Sequence, residues 1–189
     1  MNTPAHVIFS AAAFARPDAP RRTVAAILGA LAPDVSLYVM VSVSVFILGV
    51  PARTVFREYY YSPEWQLVFA VDNSFILWGV ALGIALWRRW TIAAIFCGSA
   101  LLHLAFDFPL HNHDARMHFW PLTDWKFISP FSYWDGRHHG DLVGRIETGL
   151  CLILLLVLFR RFQGWIARVV IGLAAVAQLA PVVIWGVLF

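Results

Sequence analysis

Long apolar segments separated by short polar stretches dominate the pattern of this chain. Six segments reach or approach the roughly 20 apolar residues that cross a bilayer core, and they cover residues 4–15, 23–50, 65–87, 91–107, 144–159 and 165–189. The first is short, and without a basic leader or a cleavage site it is expected to be a retained, partly embedded helix. The second contains Pro33-Asp34, where proline favours a kink or a break. The pattern predicts an all-α, polytopic transmembrane helical bundle, one domain over residues 1–189, with a long polar and aromatic loop over residues 108–143.

Composition supports a membrane protein. The chain has 60% hydrophobic and only 13% charged residues, with a mean hydropathy of +0.71, whereas soluble domains carry about 25% charged residues. The formal net charge of +3 comes from basic clusters at the ends of apolar segments, so it orients the chain in a membrane rather than binding nucleic acid. We therefore expect membrane lipid as a partner, with partner membrane proteins or further copies of the chain as additional possibilities, and no nucleic acid.

Arginine-containing connections set the expected orientation. Three short connections are basic, and their residues are Arg16, Arg21, Arg22, Arg88, Arg89, Arg160, Arg161 and Arg168. The positive-inside rule applies best to short loops of this kind. The three connections are thus expected on the cytoplasmic side, and the 108–143 loop on the opposite side.

Ionisable residues gather at that opposite side. His103 and Asp107 are four positions apart, so they share one face of a helix; such groups are costly in a bilayer unless they are paired or bind a metal. All seven histidines lie at or near the non-cytoplasmic ends of segments or in the outer loop. We expect a metal site in the outer half of the membrane, built from His6, Asp34, Asp72, His103 and Asp107.

Imidazole and carboxylate ligands suit zinc, manganese or iron, and the absence of thiolates argues against a structural zinc site. A metal with an open position activates water for hydrolysis, and a nearby acid or base must then handle protons. The candidates for that role are Glu147, His111, His113 and Asp114. The basic residues expected to bind an anionic head group are Arg116, Lys126 and Arg137.

Purely structural interpretations of these residues stay open. His103 and Asp107 can hydrogen-bond each other or a neighbouring helix, and Asp72-Asn73 can clamp two helices without a metal. Glu147 can pair with a surface arginine. The aromatic residues of the 108–143 loop suit an interfacial belt.

Three elements carry a resemblance to a known family. Thr3-Pro4-Ala5-His6, Gly29-Ala30-Leu31-Ala32-Pro33-Asp34 and the helix ending in His103-Leu-Ala-Phe-Asp107 resemble the membrane-bound metal-dependent hydrolases. The resemblance implies a divalent metal, zinc above all, hydrolysis of a phosphoester or similar bond, and a location in the bacterial inner membrane. The outer loop resembles a narrower subgroup of small proteobacterial membrane proteins, some of them labelled cobalamin biosynthesis proteins.

Two positions depart from the family pattern. Ser36 stands where a second acid follows the Pro-Asp pair, and Asp72-Asn73-Ser74 replaces a Thr-His-Ser element. The first hypothesis is a metal-dependent hydrolase that acts on a lipid or lipid-linked phosphoester at the outer leaflet. The alternatives are a non-catalytic accessory subunit of a larger membrane complex and, last, an ion conduit, which the apolar cytoplasmic ends of the helices disfavour.

Overall fold

The computed structural model describes the backbone of residues 1–188 and the side chains of residues 1–180, and over this range it is helical, with no β-strand. The α-helices are α1 (Thr3–Phe14), α2 (Pro20–Leu31), α3 (Val35–Ser42), α4 (Ala52–Arg57), α5 (Pro63–Asp72), α6 (Phe75–Trp87), α7 (Thr91–Asp107), α8 (Gly140–Arg161) and α9 (Trp165–Leu188).

Four helical segments in the described part of the chain are long and apolar enough to cross a membrane. They are Pro20–Ile47, Pro63–Trp87, Thr91–Leu110 and Gly140–Arg161. Helix α1, Thr3–Phe14, is apolar but shorter, and of α9 the part with described side chains, Trp165–Ala180, is also apolar. The predicted all-helical fold is therefore confirmed for the described residues, and four of the six predicted apolar segments are long and apolar enough to cross a membrane. The first segment is short, as predicted, and the last, α9, extends past the residues whose side chains are described.

The centre of the bundle is the contact between α2 and α7, which run side by side. Gly29 of α2 lies directly against α7: a Cβ atom there would stand 2.2 Å from the Phe96 carbonyl oxygen and 2.8 Å from Ser99 Cβ. Ser99 Oγ in turn donates a hydrogen bond of 2.6 Å to the Ala26 carbonyl. Small residues at the crossing let the two backbones approach closely, as is typical of helix pairs in membranes. Helix α1 packs against α2, α7 and α8, and α6 packs against the other side of α7.

The arginine-containing connections lie at one end of the bundle. Arg161, in the last turn of α8, donates from Nη1 to the carbonyls of Ala12 (2.8 Å) and Ala15 (3.1 Å) at the end of α1. These carbonyls have no partner inside the helix, so the guanidinium caps them. The starts of α2 and α7 line one apolar groove together, with Arg21 and Trp90 at its edge. The opposite end of α1, α2 and α7 carries the ionisable residues.

One predicted helix is broken in the structure, and a predicted break takes a defined form. Residues 65–87 were expected as one helix, but the chain breaks between α5 and α6 at Asn73-Ser74. Ser74 accepts a hydrogen bond from the Leu77 N–H as the N-cap of α6, and the Asn73 side chain donates to the carbonyls of Pro33 and Phe69. Polar side chains here satisfy the backbone groups that a break leaves open. The Pro33-Asp34 break, which was predicted, is a short 3₁₀ turn over Ala32–Asp34 between α2 and α3.

The connection after α7 is irregular but well anchored. A 3₁₀ turn over Phe108–Leu110 continues from α7, and the chain then returns beside it, with the Ser129 N–H donating to the His111 carbonyl and the Tyr133 N–H donating to the Leu110 carbonyl. Helix α8 begins at Gly140, so the connection ends before the predicted position 143. It lies over the end of the bundle that carries the ionisable residues.

Candidate metal centre

Two histidines and an aspartate meet in the interior at the end of α7. His6 of α1, His103 and Asp107 each offer a ligand atom, and these atoms lie within 4.8 Å of one another. His6 Nε2 is 3.0 Å from Asp107 Oδ1, and His103 Nε2 is 3.1 Å from Asp107 Oδ2. The two imidazole rings stack with centroids 3.5 Å apart. All three side chains are buried, so one carboxylate stands between two imidazoles away from water.

The imidazole nitrogens that face this carboxylate are close to it but not aligned as hydrogen bonds. Among the described residues, Nε2 of His6, His103 and His111 and Nδ1 of His6 have no hydrogen-bond partner although they are fully buried. Buried polar atoms are nearly always paired, and an unpaired one needs an explanation such as an ion. The amino group of Met1 also contacts Asp107 Oδ1, as expected for a buried carboxylate, which needs positive partners.

The fold fixes the orientation of His103 through its other nitrogen. Nδ1 lies 2.7 Å from the Ala30 carbonyl, so Nδ1 donates to that oxygen and Nε2 faces Asp107. A backbone carbonyl in this position is the usual means of fixing the tautomer of a metal-binding histidine. The contact depends on the close approach of α2 and α7.

Asp34 borders the same cluster from the Pro33 break. Its Oδ1 is 3.8 Å from His103 Nε2, while Oδ2 accepts a hydrogen bond of 3.0 Å from Thr3 Oγ1. The break between α2 and α3 thus places a second carboxylate near the imidazoles. Asp34 is less enclosed than Asp107, since its side chain is 19% exposed against 7%.

His111 completes the surroundings of Asp107 from the other side. Its Nε2 is 3.3 Å from Asp107 Oδ2, and its Nδ1 is 2.9 Å from Asp114 Oδ2. Trp134 Nε1 donates to the same Asp114 oxygen at 3.1 Å. Burial would raise the pKa of Asp114, but the hydrogen bonds from His111 and Trp134 outweigh it and lower that pKa to about 2. Asp114 is therefore a carboxylate that orients His111, leaving Nε2 free toward the cluster.

A polar cavity of about 290 Å³ lies beside the cluster. Asp34, Asp107 and His111 line one part of it, and Arg116 lines another. The rest of the polar wall includes Asn2, Thr3 and the phenols of Tyr38, Tyr60 and Tyr133. Burial raises the pKa of Tyr60 to about 12 and also raises the pKa of Tyr133, where the nearby carboxylates act in the same direction. These two phenols are neutral O–H groups, so the cavity combines carboxylates, one guanidinium and uncharged donors.

Several residues that the sequence pointed to lie outside this cluster. Asp72, at the end of α5, lies beside Ser36 and is not among the grouped ligand atoms. Glu147 accepts hydrogen bonds from the Asn2 and Gln178 amides, at 2.8 and 3.1 Å, and so links α1, α8 and α9. The described structure thus brings together His6, His103, Asp107, Asp34 and His111, and gives Asp72 and Glu147 other neighbours.

Several candidate residues of the 108–143 loop also lie apart from the cluster. His113 is half-exposed and sits 4.0 Å from Asp135. Arg137 is exposed and pairs with Asp135 at 3.1 Å, and Lys126 donates to Gln66 Oε1 at 2.8 Å. Of the three basic residues, Arg116 alone lines the cavity beside the cluster.

Sequence reasoning missed several residues that surround the candidate site. Tyr38, Tyr60 and Gln178 had no assigned role, and Tyr133 was expected in the interfacial belt of the 108–143 loop. Gln178 stands in an otherwise apolar stretch of α9, and an isolated amide in such a segment is a recognisable sign of a helix-to-helix hydrogen bond. The tyrosines carry no such signal, because aromatic residues near a membrane surface are common.

Comparison with known proteins found no match: no protein-family model, no curated protein and no solved structure is significantly similar to this chain.

Proposed function

We propose that this chain is a membrane-embedded metal-dependent hydrolase whose metal lies at His6, His103 and Asp107. The observation that carries the proposal is the set of buried imidazole nitrogens without partners that surround one buried carboxylate. The Nε2 atoms of His6, His103 and His111 lie 3.0, 3.1 and 3.3 Å from Asp107 without aligned hydrogen bonds, an arrangement that a cation bound by these groups would satisfy.

The residues present fit a divalent cation. Two imidazoles and a carboxylate are the donor set of catalytic zinc sites and also suit manganese and iron. His111 and Asp34 border the same space and are the further ligands we assign to it. Fixed partners at the outer nitrogens, the Ala30 carbonyl and the Asp114 carboxylate, support a preorganised site.

Hydrolysis is the chemistry that this setting favours. A divalent metal supplies a Lewis acid that activates water toward an ester. The chain itself supplies a polar cavity for the substrate, neutral phenols as hydrogen-bond donors, and an arginine for an anionic group. The substrate we assign is a lipid or lipid-linked phosphoester, because the site is enclosed by helices long and apolar enough to cross a membrane.

We place the site on the periplasmic side of a bacterial inner membrane. His103 lies about 18 Å along α7 from its start at Thr91, beside the arginine-containing connection, at 1.5 Å per residue. With those arginines on the cytoplasmic side, this depth falls in the outer half of a hydrocarbon core of about 30 Å. In this arrangement α1 and α9 are the fifth and sixth membrane-inserted segments, and residues 108–143 cover the site from outside.

A hydrolysis assay tests the proposal. Detergent-purified protein is stripped with a chelator, reloaded with zinc, manganese or iron, and assayed for release of inorganic phosphate from lipid phosphomonoesters and pyrophosphates. Activity should need the metal and should be lost in His103→Asn, whose amide keeps the hydrogen bond to Ala30 but removes Nε2. The control is His139→Asn, because His139 is exposed and has a left-handed backbone (φ 63°) that asparagine tolerates. Activity of His103→Asn equal to that of the wild type, or activity that does not depend on the metal, would contradict the proposal.

A non-catalytic accessory subunit is the second candidate, and the exposed aromatic and aliphatic residues of the outer connection favour it. Leu122, Trp125, Ile128 and Trp134 are each more than half exposed. Exposed apolar side chains on one connection can contact either the membrane interface or a partner protein. Co-purification of a stoichiometric partner in mild detergent, lost when Trp125 and Ile128 are replaced by serine, would support this candidate.

A further inference from the structure

Arg116 is a buried cation for which the described residues provide no carboxylate in salt-bridge contact. The residue is 7% exposed, and among the described residues its Nη1 has no hydrogen-bond partner. Its guanidinium lies 4.2 Å from the ring centroid of Phe69 and 4.9 Å from that of Tyr60. A charge taken out of water in this way is costly unless a partner compensates it.

The two aromatic rings explain how Arg116 is held. A guanidinium stacks on rings through its faces, whereas its N–H donors point outward in its own plane. Stacking therefore fixes the side chain without using its donors. Because Arg116 lines the cavity that also contains Asp107 and His111, donors remain for a ligand in that cavity.

We propose that Arg116 binds a phosphate-type oxyanion in the cavity beside the His6, His103 and Asp107 cluster, and so sets the specificity of the site for phosphoryl over uncharged esters. A planar fork of N–H donors matches the oxygens of a phosphate better than a point charge does. The phenols of Tyr60 and Tyr133 line the same cavity as further donors.

This assignment rests on the proposed function in one respect. Asp34 and Asp107 line the same cavity, and the Met1 amino group, which contacts Asp107, offsets only part of their negative charge, so a metal cation at the cluster would reduce the repulsion of an oxyanion. Phosphate should therefore bind more tightly to the metal-loaded protein than to the chelator-treated protein. The oxyanion would lie between two positive groups, the metal and Arg116, an arrangement used to stabilise transferring phosphoryl groups.

The first experiment measures binding of inorganic phosphate by thermal unfolding of the zinc-loaded protein in detergent, against chloride at equal ionic strength. Phosphate should raise the unfolding temperature of the wild type. In Arg116→Gln the apparent affinity should fall roughly 10- to 100-fold, the value of hydrogen bonds to a charged group, while Arg116→Lys retains part of it. The matched control is Arg57→Gln, an exposed arginine outside the cavity, which should bind phosphate like the wild type.

A second measurement needs no variant and covers the case in which Arg116→Gln does not fold. Wild-type protein is treated with phenylglyoxal, and modified arginines are mapped by mass spectrometry. Phosphate should slow modification of Arg116 and leave Arg57 unchanged. The labelling is then repeated in phosphatidylcholine vesicles with and without phosphatidic acid. Protection of Arg116 by phosphatidic acid would identify a lipid head group as the ligand, and protection by free phosphate alone would identify a soluble phosphate.

The outcomes separate this inference from the proposed function. Equal phosphate affinity in wild type and Arg116→Gln, or no protection of Arg116 by either source, would overturn the oxyanion site even if the protein binds metal. Protection of Arg116 in a protein that never binds a metal would instead overturn the proposed function and leave the arginine site standing. The metal content of Arg116→Gln should equal that of the wild type.

Discussion

Replacing Gly29 by alanine tests the link between helix packing and the candidate metal centre. A Cβ atom at this position would stand 2.2 Å from the Phe96 carbonyl oxygen, where about 3.4 Å is an ordinary contact. The obstacle is backbone, which cannot rotate away as a side chain does. Helices α2 and α7 must therefore separate locally by about 1 Å to admit the methyl group.

The separation of α2 and α7 determines the expected loss of stability and of metal affinity. Overpacking of a close interface costs about 1–3 kcal/mol. The His103 Nδ1 to Ala30 carbonyl distance of 2.7 Å would stretch to roughly 3.7 Å, which is no longer a hydrogen bond, and this loss adds to the cost. We expect Gly29→Ala to lower the free energy of unfolding by about 2–4 kcal/mol. Since the same contact orients His103, metal affinity should fall by about 10- to 100-fold.

The assay combines unfolding in mixed detergent micelles with a metal titration. Gly83→Ala is the matched control, because a Cβ atom at Gly83 has no neighbour within 4 Å and alanine favours a helix by up to about 1 kcal/mol. It should be at least as stable as the wild type and bind metal equally. If Gly29→Ala unfolds and binds metal like Gly83→Ala, the proposed role of the close contact is wrong.

Three other substitutions probe the surroundings of the cluster. Burial lowers the pKa of His118 to about 4, so between about pH 4 and pH 6.5 this histidine is neutral in the folded protein and protonated in the unfolded chain. The free energy of unfolding should therefore be unaffected by His118 above about pH 6.5 and fall by up to roughly 3 kcal/mol as the pH drops to about 4. His118→Asn, which keeps a donor for the Asn73 carbonyl, should flatten this acid dependence in a thermal-unfolding series, and an unchanged slope would refute the assignment. Asp114→Asn should weaken metal binding about 10- to 100-fold in a chelator competition, because it removes the carboxylate that orients His111; unchanged affinity would show that His111 is not a ligand. Glu147→Gln should lower the free energy of unfolding by about 1–3 kcal/mol without changing metal content, and loss of activity at unchanged stability would instead support the catalytic role predicted from the sequence.

The parts of the site that the sequence predicts are those that regular geometry determines. His103 and Asp107 share a helix face because they are four residues apart, and Asp34 marks a break because proline precedes it. The expected convergence of His6 with them follows from placing the basic connections at one end of the bundle. These residues lie together in the structure.

Other features depend on local backbone chemistry that an apolar pattern does not reveal. Residues 65–87 look continuous, yet Ser74 caps a new helix, and Asp72 ends α5 beside Ser36 rather than in the cluster. Pro109 stands between Asp107 and His111, where a proline usually ends a helix. It instead occupies the start of a 3₁₀ turn, where a missing N–H costs little. The helical path therefore continues past Asp107, and His111 lies beside Asp107.

Metal content of the purified protein tests the central claim most directly. Protein loaded with zinc, manganese or iron, then freed of excess metal, should hold about one equivalent of divalent metal per chain. His103→Asn and Asp107→Asn should lose it, and His139→Asn should keep it. A wild type that retains no metal under any of these loadings, or a His103→Asn variant that retains as much as His139→Asn, would contradict the assignment of a metal centre to this cluster.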